Sequence, residues 1–138
     1  MTTTEPELQQ RLESCYAEVK AMIAKTNHES NSLGWQHRSL TQCRGDEWDR
    51  ERLGKIMDIV NAKSKKNNEI EAWTWLRDYM DTNRDQQGRY TNFGKMTDEV
   101  ERHYIKAIIS ELYEIAAVLA RWLKMTGQEE RIIGKYPG

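Results

Sequence analysis

Cysteine, proline and phenylalanine are scarce in this chain of 138 residues, which carries two, two and one of them. Cys15 and Cys43 are too far apart to form a CxxC, so no paired-cysteine metal signature or redox motif is present. Both are expected to stay reduced thiols, as in a cytoplasmic protein. Charge of a single sign is also missing. Lys and Arg number 21 against 22 Asp and Glu, a net charge of −1 with the signs interspersed. Such a balance leaves no broad electrostatic footprint for nucleic acid or an anionic membrane, and nucleic acid is not an expected partner. The nearest basic cluster, Lys63, Lys65 and Lys66, reads as a solvated segment between helices. Long apolar runs are absent too: the greasiest stretch, 115–123, is short and interrupted by Arg121, and the first eleven residues are polar. Neither membrane insertion nor secretion is expected. No glycine-rich phosphate loop, HExxH or GxSxG occurs, which removes several large enzyme classes.

What is present is helical periodicity. Thr4, Pro6 and Glu7 make a start signal of capping threonine, first-turn proline and glutamate three residues after the cap. Leu8, Leu12, Cys15, Tyr16, Val19, Met22 and Ile23 then recur at three- and four-residue intervals, predicting a first helix to about His28. Residues 29–45 hold Asn31, Ser32, Gly34, Ser39 and Gly45 without sustained periodicity and read as a long loop. Asp46 is the expected cap of a second helix whose core face is Leu53, Ile56, Met57 and Val60. A polar joint at 63–68 either separates this helix from a third or is itself helical. The third presents Glu69, Trp73, Leu76, Tyr79 and Met80 along one side and ends near Asn83. After a break at 84–96, Thr97 caps a fourth helix expected over 98–126, with Gly127 as its stop. Ile132, Ile133, Tyr136 and Pro137 form an extended tail against the bundle or a partner. The pattern predicts an all-α, four-helix-bundle-like single domain over residues 1–138, with a long loop after the first helix.

The chemistry rests on carboxylates and tryptophans. At about 100° per residue, the fourth helix has an apolar stripe of Tyr104, Ile108, Leu112, Ile115, Leu119 and Trp122, with Glu111 and Glu114 along its edge. Carboxylates in such places need a cation, a metal or an arginine. Spaced i, i+3, they could converge on one divalent ion, with Glu69 from the facing helix as a third ligand. The alternative is a structural ion pair with Arg121, Arg77 or Lys106. Five tryptophans are many for this length. Trp73 and Trp122 fall on core stripes, whereas Trp48 and Trp75 lie off them and suit a second interface or stacking on a flat ligand.

A small helical chain with Glu111-Leu-Tyr-Glu114 leading into Ile115-Ala-Ala-Val-Leu119 resembles the MazG-like all-α nucleoside triphosphate pyrophosphatases. The resemblance covers the last two helices. The final position of the motif is glutamate where that family has aspartate, and the stand-ins for the upstream EExxE are Glu69 with Glu71, or Asp78 with Asp81, which fall on the polar back of the third helix. It implies Mg²⁺ held by Glu69, Glu111 and Glu114, and cleavage of a nucleoside triphosphate to monophosphate and pyrophosphate. Lys106 and Arg121 would bind phosphate oxygens and Trp75 the base, in a homodimer. The competing reading is a non-enzymatic helical protein that inhibits or adapts a partner protein, with off-stripe tryptophans, the 33–40 stretch of the loop and the 132–136 tail as its anchors.

Overall fold

Thr4 opens the first helix as its sequence signals: the hydroxyl accepts a hydrogen bond from the Glu7 amide at 3.3 Å, and Pro6 sits in the first turn, where a missing N–H costs nothing. The computed structural model describes residues 4–42 and 50–133. Helix α1 spans Glu5–Thr41, α2 Arg50–Thr82, α3 Phe93–Ile109 and α4 Tyr113–Met125; a short 3-10 turn follows at Glu129–Arg131. An isolated bridge between Arg84 and Tyr90 closes the α2–α3 connection, and no other strand pairing occurs among the described residues. The fold is all-α and bundle-like, as the periodicity predicts.

Two expectations are corrected by these boundaries. The first helix does not stop at His28, and residues 29–41 are helix rather than loop. Asn, Ser and Gly here have poor helix propensity, but a second helix pairs alongside and outweighs it. The Ser30 hydroxyl donates to Asn67 Oδ1 at 3.1 Å, Lys63 Nζ donates to the Ser30 carbonyl at 3.3 Å, and Thr41 donates back to the His37 carbonyl. Of the two readings of the 63–68 joint, the structure has the helical one, so the second and third helices are one rod. The expected cap at Asp46 lies outside the described residues, as do Tyr136 and Pro137.

The second correction concerns the long fourth helix, which is broken. Thr97 is not its cap: α3 starts at Phe93, and the Thr97 hydroxyl donates within the helix to the Phe93 carbonyl. The chain then reverses at 110–112. Leu112 N–H bonds the Ala107 carbonyl at 2.8 Å and Glu111 N–H bonds that of Ile108 at 3.0 Å, with Glu111 at φ +59°. That is a Schellman ending, with glutamate in the left-handed seat usually held by glycine. The same motif ends α4, where Gln128 N–H reaches Leu123, Gly127 N–H reaches Lys124, and Gly127 stands at φ +79°. Here the glycine stop is where the sequence puts it.

Breaking the rod lets α4 fold back along α2 and build a four-helix base. Its fully buried side chains include Leu12 and Val19 from α1, Leu76 and Met80 from α2, Met96, Val100 and Tyr104 from α3, and Ala116, Trp122 and Leu123 from α4. Arg84 fastens the far end. It pairs with Glu13 of α1, donates to the Gly88 carbonyl at 2.8 Å, and lies over the Tyr16 and Tyr90 rings.

Beyond Ser30 in α1 and before Ala72 in α2 no residue is buried. These parts of the two helices form a bare arm. Leu53, Met57 and Val60, expected as core, are 49%, 58% and 43% exposed, and Trp35 is 68% exposed. Helices α3 and α4 are 17 and 13 residues long and cannot reach that far along rods of 37 and 33.

Candidate functional site

Three surfaces carry chemistry, and they divide the residues singled out from the sequence. The first is a cleft of about 380 Å³ between α2, α3 and α4. Its floor is Ala72, Ala107, Ile115 and Leu119, and its mouth is Trp75, His103, Lys106 and Glu71. Trp75 stacks on Tyr79 with ring centroids 5.0 Å apart, and His103 tilts against its ring at 4.4 Å. Nε2 of His103 lies 3.3 Å from Glu99. Trp75 and Lys106 are thus brought together, in a pocket with the apolar walls and few polar groups typical of small-molecule sites.

The second cleft, about 210 Å³, lies between α1, α2 and α4 and is lined by Glu29, Glu69, Glu114, Lys25, Lys66 and Arg121, among others. Lys66 bridges Glu29 at 3.5 Å and Glu69 at 3.4 Å. Arg121 donates to Glu18 at 2.8 Å and covers the Trp73 ring at 5.7 Å. Glu69 and Glu114 therefore share a wall with Arg121. Glu111 does not join them. Its premise, a place on the stripe of a continuous helix, fails because the chain turns at that residue, leaving it exposed on the α3–α4 corner. The acids line the cleft without converging: among the described residues no three His, Cys, Asp or Glu gather closely enough to hold an ion. Glu69 is held in an ion pair by Lys66, which is not among the cations expected to pair with Glu111 and Glu114.

Glu29 is the acid that sequence reasoning missed. Its signal was available: Met22, Thr26, Ser30, Leu33, His37 and Leu40 continue the inward three- and four-residue spacing of the first helix, and Glu29 borders that stripe. The glycine and the polar residues around it masked the pattern. Asp78 and Asp81 stand on the polar side expected of them, Asp78 with Arg77 and Asp81 accepting from the Tyr16 hydroxyl.

The third surface is the arm. Lys63 Nζ lies 3.1 Å from where a Cβ on Gly34 would stand, and Asn31, Gly34, Trp35 and Arg38 line a shallow groove with it. Val60 is one turn before Lys63, and Leu53 continues that line at i−7 from Val60. Leu53 and Val60 therefore lie on the side of α2 that borders this groove, and Met57 and Trp35 are exposed on the outer faces of their helices. The rim of the arm is basic, with Lys63, Arg50 and Arg38, whose guanidinium lies 4.9 Å from the Trp35 ring centroid. Across its helical residues, 31–41 and 50–71, the arm carries Arg38, Arg50, Arg52, Lys55, Lys63, Lys65 and Lys66 against Glu51, Asp58, Glu69 and Glu71. Near-neutral net charge conceals this asymmetry.

No protein-family model, curated protein or solved structure matches this chain. Among the described residues no helix is long and apolar enough to cross a membrane.

Proposed function

We propose that this chain is a non-enzymatic binding protein whose two-helix arm docks onto an apolar, acid-rimmed groove of a partner protein. One observation carries the reading: four large apolar side chains, Trp35, Leu53, Met57 and Val60, stand exposed on a helical pair that buries no residue of its own. Anchors at i, i+4 and i+7, here Leu53, Met57 and Val60, are the spacing with which a helix fills a groove. A rigid tryptophan on the paired helix suits an interface. The basic rim selects an acidic surround and speeds encounter.

The experiment is affinity purification from the native cell with three baits: wild type, Trp35→Asp with Met57→Asp, and the base variant Lys124→Asp. One stoichiometric protein is expected with the first and third baits and absent with the second. Equal recovery by all three would overturn the reading, as would recovery of nucleic acid in a salt-sensitive complex instead.

A second reading, nucleoside triphosphate pyrophosphohydrolysis in a homodimer, retains one supporting observation: Glu69 and Glu114 line a cleft with Arg121. The carboxylates do not fit a shared Mg²⁺ as they stand, since Lys66 already holds Glu29 and Glu69. Pyrophosphate release from a triphosphate, lost in Glu114→Gln and kept in Glu111→Gln, would favour it over the arm.

A further inference from the structure

The α3–α4 corner joins two features that pull in opposite directions. Its left-handed residue is Glu111, φ +59°, where an L side chain is disfavoured and glycine is the usual occupant. Meanwhile the apolar spacing Tyr104, Ile108, Leu112, Ile115, Leu119 and Trp122 runs through the break without a change of period, as for one straight helix. The turn itself is three residues long, and Ile109 beside it is 75% exposed, with Leu112 also exposed. A short hinge under strain, between elements whose sequence favours continuity, invites exchange between copies.

We infer that this chain forms a domain-swapped dimer in which α3 and α4 fuse into one helix through residues 110–112, each α4 packing into the base of a second copy. The cradle it enters is the one already described, so Trp122 meets Met80, Leu119 meets the α2–α3 cleft, and Arg121 meets Glu18 across the dimer instead of within a chain. Opening the corner returns Glu111 to right-handed backbone. The two hinges then cross near the two-fold axis, where Ile109 and Leu112 of each copy face the other and leave solvent. A swapped dimer carries two arms, and the inference stands whatever those arms bind.

Glu111 substitutions discriminate because they act oppositely on the two forms. Glu111→Gly relieves the turn in the monomer and weakens the fused helix. It should raise the dimer dissociation constant by about tenfold per chain, hence about a hundredfold in all. Glu111→Ala leaves the turn disfavoured and improves the helix, tightening the dimer by about fourfold. The measurement is size-exclusion chromatography with light scattering on samples refolded at graded concentration, since exchange requires α4 to leave its core. Glu18→Cys with Arg121→Cys in a Cys43→Ser background, treated with a short bis-maleimide, then tests the topology. The expected product is a covalent dimer on a denaturing gel, Cys15 being buried and unreactive. A wild type and Glu111→Ala that stay monomeric at every concentration would overturn the inference, as would a dimer whose 18–121 link is made within one chain.

Discussion

Replacing Trp122 with alanine is expected to cost about 3–5 kcal/mol, at the top of the range for truncating a buried side chain. The indole is fully buried at the centre of the base, and its Nε1 donates to Met80 Sδ at 3.4 Å, so no exposed surface can collapse into the space it leaves. Both transfer and cavity contributions therefore apply. Against a typical total stability of about 5–15 kcal/mol, the variant would be marginal at room temperature. Urea denaturation followed by circular dichroism measures it. The control is Trp35→Ala, which removes a side chain of the same size from the arm and should change stability by less than about 0.5 kcal/mol. Two tryptophans of one chain, separated only by burial, thus divide the molecule into a part that holds it together and a part that does not.

The second large effect is expected in alkali and centres on Cys15. Burial pushes its thiol from an ordinary 9.0 up to about 12, the neighbouring Glu18 adds to the shift, and Arg11 opposes it. The charged form is the thiolate, so the folded chain holds this proton after the unfolded chain has released it. Stability from this group is fully present below pH 9 and is lost as pH rises from about 9 through about 12. At about 1.4 kcal/mol per unit the loss is on the order of 4 kcal/mol. Tyr90, Tyr104, Tyr79 and Tyr16 are raised in the same direction by burial and steepen the fall above pH 10. Denaturant midpoints measured from pH 7 to 11.5 test this. Cys15→Ala should be less stable at pH 7 and show a shallower decline above pH 9; parallel curves would mean that the thiol does not control the transition.

Much of the fold is written locally. Thr4, Pro6 and Glu7 cap α1, the stripe from Leu8 to Ile23 finds its core face, and Gly127 ends α4 in the conformation that glycine adopts most readily. What escaped a residue-by-residue reading is structure decided by neighbours. Residues 29–41 combine weak helix formers, and only the pairing of α1 with α2, through Ser30, Asn67 and Lys63, makes them helical. The break at Glu111 is invisible because its usual sign, a glycine, is missing and the apolar period continues through it. Leu53, Met57 and Val60 have core spacing, yet whether a stripe becomes core depends on the length of the helices opposite, which no local pattern encodes.

The candidate site was legible to the same degree. Trp75, Glu69 and Glu114 follow from their positions on helix faces, whereas Lys106 and Arg121 follow only from the family resemblance; Trp75 and Lys106 line one cleft, and Glu69, Glu114 and Arg121 another. Glu111 was placed by assuming an unbroken rod and falls away with that assumption. Glu29 was hidden inside an expected loop. The exposure of Trp35 could not be read either, since a tryptophan beside a helical stripe is as compatible with packing as with a free surface.

The central claim is that the base carries the stability and the arm stands as an unpartnered surface. Residue-resolved amide hydrogen exchange on the free protein tests it most directly. Amides of the arm, 31–41 and 50–65, are expected to exchange through local opening, orders of magnitude faster than those around Leu76, Tyr104 and Trp122, which open only with the whole fold. Arm amides as slow as those of the base would contradict the claim, because such protection requires a covering that these two helices do not give each other.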